Sequence, residues 1–107
     1  PPSNEDELTT VNILFDGKPE LKIGGNYKTF IGALSENNVL NKDVSRNWKI
    51  ISIPELEKYI KYSTEKNTLR IKIENDEFAI GNKIRIIFTE NSTTKSTYID
   101  INISNSF

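Results

Sequence analysis

The chain contains no cysteine, no histidine and no methionine, and only one tryptophan, Trp48. Without cysteine there is no disulfide, no thiol nucleophile and no thiolate metal site; without histidine the usual imidazole base and zinc ligand are gone as well. The missing methionine implies that these residues are an excised or processed part of a longer chain. No apolar run approaches the ~18 residues that span a bilayer, and no charged-then-apolar leader precedes the first apolar segment, so no membrane contact is expected. Excess charge is absent too. Fourteen Lys and Arg stand against fifteen Asp and Glu, a net charge of −1, whereas a nucleic-acid binder carries a basic surplus to neutralise phosphates. Only aspartate and glutamate remain as candidate general acids and bases.

What is present is one domain's worth of chain: 107 residues, 36% hydrophobic and 27% charged, within the range of soluble globular domains. Residues 1–7, Pro-Pro-Ser-Asn-Glu-Asp-Glu, read as a linker or frayed terminus, 8–104 as the folded domain and 105–107 as a tail. Val11, Ile13 and Phe15 alternate as a first strand that Asp16-Gly17 stops, and Glu20 to Ile23 resumes after Lys18-Pro19. Such a division is typical of an edge strand that changes partner. In the segment from Tyr27 to Leu34, Phe30 and Leu34 are expected inside, with Gly32 letting a neighbour approach. The polar stretch Ser35–Asn47 carries turn signals at Asn37-Asn38, Asn41 and Asp43, and Val39, Leu40 and Val44 are expected to tuck it onto the core. Trp48 to Ile53 is a strand whose indole is expected against the middle of the core.

Pro54 ends that strand, and the spacing of Leu56, Tyr59 and Ile60 predicts a short helical turn near 54–60, although Tyr59, Ile60 and Tyr62 also suit a strand. Leu69, Ile71 and Ile73 alternate with Arg70, Lys72 and Glu74. The rows Ile84, Ile86, Phe88 and Ile99, Ile101, Ile103 do the same. About seven short strands separated by turn residues predict an all-β, two-layer antiparallel sandwich whose inner faces are the isoleucine rows.

Candidate sites weigh lightly. Asp43, Asp76, Glu77 and Asp100 are scattered over turns and an outward strand face, without the paired spacing a glycosidase needs. Asn75, Asp76, Glu77 and Asn82 offer oxygens that a calcium ion would accept, but Asx-rich turns serve backbone conformation first. Lys58-Tyr59-Ile60-Lys61-Tyr62 interleaves cations with aromatics, a pattern that can stack on sugars or bases. Here Glu55, Glu57 and Glu65 cancel the local charge, and the plainer expectation is that Tyr59 and Ile60 pack down while the lysines stay solvated. No catalytic residue, metal or cofactor is expected.

The segment Leu21-Lys22-Ile23-Gly24-Gly25-Asn26-Tyr27-Lys28-Thr29-Phe30 is similar to the opening of bacterial immunoglobulin-like domains of the group-two type. Trp48 falls where those domains place a core tryptophan. Leu69 to Ile73 and Ile80 to Ile86 look like their fifth strand, glycine turn and sixth strand. The pattern at Lys22–Thr29, Trp48-Lys49, Ile71-Lys72-Ile73 and Ile80-Gly81 resembles more closely the immunoglobulin-like modules of minor structural and tail proteins in phages and prophages of low-G+C bacteria. Heavy use of isoleucine, asparagine and lysine fits such a source. Pro54 to Ser63 has no counterpart in that pattern. The resemblance implies an immunoglobulin-like sandwich acting as a non-catalytic spacer or adhesion module on a phage tail. Its partners would be virion proteins or host cell-surface polysaccharide, and the isolated domain would be a monomer. The alternative is a stalk domain of a bacterial cell-surface adhesin.

Overall fold

The computed structural model describes residues 9–43 and 46–105; the expected linker 1–7, Val44 and the last two residues of the tail lie outside these. Among the described residues nine strands make up two sheets: β1 Thr9–Leu14, β2 Glu20–Lys22, β3 Lys28–Glu36, β4 Val39–Asn41, β5 Arg46–Ile51, β6 Ile60–Glu65, β7 Thr68–Ile73, β8 Lys83–Glu90 and β9 Ser96–Ser104. The first sheet runs β1-β3-β7-β6, with β4 added to β3, and the second runs β2-β9-β8-β5. The expected all-β sandwich is present. With β1 and β2 taken as two halves of one divided strand and β4 as an added ribbon, seven strands remain, in the two-sheet order of an immunoglobulin-like sandwich.

The inner faces follow from period-two alternation. Leu69, Ile71 and Ile73 of β7 are fully buried, as are Ile86 and Phe88 of β8 and Ile101 of β9, while Arg70, Arg85 and Asp100 face out. Phe30 and Leu34 point inward as expected. Each such side chain contributes about 1.5–3 kcal/mol relative to exposure. At Gly32 the sheets come so close that a β-carbon would overlap the Phe88 ring. Glycine is the residue that admits this contact.

The division of the first strand also occurs. β1 pairs antiparallel with β3, whereas β2 crosses to the other sheet and pairs with β9 in parallel, the other named strand pairs being antiparallel. Just beyond, Ile23 donates its N–H to Ser104 O (3.1 Å) and Gly24 donates to Ile73 O (2.9 Å), so the chain stitches both sheets at that pole.

Two expectations need correction, and a third is refined. Val39 and Leu40 do not reach the core; they are 68% and 47% exposed. Asn37 and Asn38 both take positive φ (52° and 70°), the geometry of a two-residue hairpin turn. The chain therefore folds straight back along β3 as β4 instead of crossing the sandwich. Trp48 is half-buried and not central. Its ring packs on Phe88 at 4.8 Å between the main cluster and a smaller one formed by Val11, Leu34 and Phe88. β5 is an edge strand, so one side of the indole has no strand to cover it. The helical turn Pro54–Tyr59 is a 3₁₀ turn that plugs one pole with the fully buried Leu56. The chain then continues as strand β6, whose alternation of Ile60, Tyr62 and Thr64 the sequence left ambiguous.

Candidate functional site

The oxygen-rich turn between β7 and β8 is committed to its own backbone. Asp76 Oδ1 accepts from Phe78 N–H at 2.8 Å and Asn82 Nδ2 donates to Phe78 O at 2.7 Å, which closes the 3₁₀ turn Glu77–Ala79. The Asn75 side chain lies against Gly24, which has φ +72°. Among the described residues no three acidic side chains gather as metal ligands.

Shallow grooves mark the surface of the described residues. One of about 410 Å³ lies beside Ile51, Ile53, Lys83, Arg85 and Asp100, one of about 290 Å³ between Ile50, Glu57, Ile60 and Tyr62, and one of about 220 Å³ beside Phe15, Asp16, Ile31 and Lys42. Each holds one carboxylate, whereas two-carboxylate glycoside hydrolysis needs a pair across a cleft. In the groove beside Arg85 that carboxylate is already engaged. Arg85 Nε and Nη2 reach the two Asp100 oxygens at 2.7 and 3.1 Å. The hydrogen bond to Arg85 holds the Asp100 carboxyl below its ordinary range. Tyr98 stacks under the same guanidinium at 4.0 Å.

Glu90 is the one charged side chain buried among the described residues, 2% exposed. Its Oε1 accepts from Ser92 Oγ (2.7 Å), Thr93 N–H (2.9 Å) and Thr93 Oγ1 (3.0 Å). Burial pushes its pKa up, but these donors outweigh burial and hold the carboxyl below its ordinary value. It folds the β8–β9 connection and faces no groove named above.

Lys58-Tyr59-Ile60-Lys61-Tyr62 is split by the fold. Tyr59 and Ile60 turn inward, and the Tyr59 ring stacks on Phe78 at 5.9 Å, with Lys58 Nζ 5.3 Å from its centroid. Lys61 lies on the outer face of β6, directly opposite Lys72 of β7, and Arg70 lies opposite Ser63 on that face. Tyr27, 43% exposed, receives Lys72 Nζ at 4.9 Å and the Arg70 guanidinium at 5.4 Å over its ring. Tyr27 and the β7 cations were not singled out by the sequence, because only strand pairing brings them beside Lys61.

Asn67, in the β6–β7 turn, was missed as well. It is buried, and its Nδ2 donates to Gly32 O at 2.9 Å and to Lys42 O, while Gly32 N–H donates to Asn67 O at 2.8 Å. These bonds fill the junction where β3 changes partner from β7 to β4. The sequence signal was the two-residue Lys66-Asn67 step between two strand-like runs. No helix among the described residues is long and apolar enough to cross a membrane. Compared with protein-family models, curated proteins and solved structures, the chain gives no match.

Proposed function

We propose that the domain is a non-catalytic immunoglobulin-like module of a tail-associated phage or prophage structural protein, acting as a spacer or in adhesion to a host-surface polysaccharide or a neighbouring virion protein. The path of the chain carries the spacer reading. β1 starts at the pole where Lys95 Nζ reaches Thr9 O (2.9 Å), and β9 ends at the opposite pole beside Ile23. A pull along the chain therefore runs the length of the sandwich. It loads the parallel pair β2–β9 along the strand direction, so that bonds such as Asn102 N–H to Pro19 O (3.0 Å) share the load and must break together. The sequence resemblance supplies the virion context.

Pulling a tandem array of the domain by atomic force microscopy tests the spacer role. One cooperative force peak per domain is expected, lowered by Asn102→Pro, which removes the donor to Pro19. An array that unravels without a peak overturns it. Titrating the domain with cell-wall polysaccharide tests adhesion; no binding at millimolar ligand leaves the spacer role alone. An adhesin stalk has the same mechanics, and tandem copies behind a leader and a wall anchor in the parent chain would favour it.

A further inference from the structure

We propose that the outer face of the first sheet around Lys61, Arg70, Lys72 and Tyr27 is a binding surface for a linear anionic glycan. The proposal rests on the adhesive reading above and gives its polysaccharide a charge.

The register sets Lys61 directly across from Lys72, and Arg70 is two residues from Lys72 along β7. Directly opposed side chains on one sheet face have β-carbons about 4.5–5.5 Å apart, and like charges placed so repel. Among the described residues no ion pair relieves that repulsion, since the ion pairs formed are Lys22–Glu20 and Arg85–Asp100; Tyr27 offsets part of it through its contacts with Arg70 and Lys72. Glu65 lies at the far end of β6 and Glu74 just beyond β7, and neither pairs with the three cations. A chain with net charge −1 thus keeps three cations together on one face without an acid between them. On the second sheet, by contrast, Arg85 is already bound by Asp100 and stacked on Tyr98.

The geometry selects among polyanions. Cationic side chains rooted at positions about 5 Å apart across the strands and about 7 Å apart along β7 suit charges repeated along an extended polymer better than one compact ion. Single-stranded nucleic acid needs open aromatic faces on which bases stack. Tyr27 is the aromatic at this place, and Arg70 and Lys72 already lie over its ring. An acidic peptide anchors through side chains seated in pockets, and none of the three grooves described includes Arg70, Lys72 or Tyr27. A hydrated glycan carrying carboxylates or phosphodiesters needs neither stacking nor a pocket.

The experiment is calorimetric titration of the whole chain at low salt. The probes are polygalacturonate, poly(glycerol phosphate), neutral dextran and single-stranded DNA. Binding to at least one charged glycan and not to dextran is expected, with a log–log salt slope of roughly −2, the size for three contacts to a flexible chain. Which charged glycan binds identifies carboxylate or phosphodiester as the source of the charge. Lys61→Ala/Arg70→Ala/Lys72→Ala is expected to weaken binding about thirtyfold. Lys72→Gln alone, a mild exposed change, is expected to weaken it about threefold, the scale of one exposed charge contact. Lys49→Ala/Lys83→Ala, on the other sheet, should leave binding unchanged. Equal binding by the triple variant, equal loss in the opposite-face variant, or DNA binding as tight as glycan binding overturns the proposal. If the wild-type chain binds neutral wall polysaccharide and the triple variant binds it equally well, adhesion stands and this surface falls. If no polysaccharide of any kind binds, adhesion to host polysaccharide falls with it.

Discussion

Two residues decide local stability in opposite ways. Gly32 is fixed by what it lacks, because the Phe88 ring occupies the space of a β-carbon. Gly32→Ala is expected to cost about 1–3 kcal/mol through forced displacement of the ring, measured by urea unfolding. Phe88→Leu in the same chain should return part of that loss by vacating the space. Glu90 is fixed by what it accepts. Its folded-state pKa lies below the ordinary value, so its contribution is present above about pH 4.3, the unfolded glutamate value, and is lost as pH falls through the folded value. Glu90→Gln should therefore be less stable than wild type at pH 7, and the difference should shrink as pH falls below about 4. Unfolding midpoints of both proteins across pH 3–7 check this; a gap that stays constant would show that the carboxylate charge is not what the turn uses.

Among the elements, Asn67 holds the point where β3 exchanges β7 for β4. Asn67→Ala strands the carbonyls of Gly32 and Lys42 that its amide serves. A loss of about 1–3 kcal/mol is expected, the cost of unsatisfied buried acceptors. Faster amide exchange should appear in β4 before β7, because β4 has β3 as its one strand partner. Legibility in the sequence followed burial. β7, β8 and β9 each keep one dry and one wet face, so Leu69-Ile71-Ile73, Ile84-Ile86-Phe88 and Ile101-Ile103 alternate plainly. β6 did not declare itself, because its inward row runs along an open sheet edge where Tyr62 stays 57% exposed and Thr64 needs no apolar character. Val39-Leu40 misled for the reverse reason: two adjacent apolar residues resemble a core anchor but belong to a surface ribbon set by the Asn37-Asn38 turn. The cationic face could not be read at all. Lys61, Arg70 and Lys72 become neighbours through register, and register follows from the whole sheet.

For the molecule as a whole, the seam between the sheets is closed unevenly. At one margin β2 and Ile23 bind both sheets, whereas at the other β5 and β6 are both edge strands, with Ile50, Ile60 and Tyr62 lining a groove between them. Local opening is expected to begin at this second margin, where fewer bonds cross the seam. Trp48 stands on β5 with its ring against Phe88 and its buried Nε1 without a hydrogen-bond partner among the described residues. As the sole indole of the chain, it gives the domain an intrinsic optical reporter at its weaker margin. Its emission should shift to longer wavelength, and yield to acrylamide quenching, at denaturant concentrations too low to alter the far-ultraviolet signal of the strands.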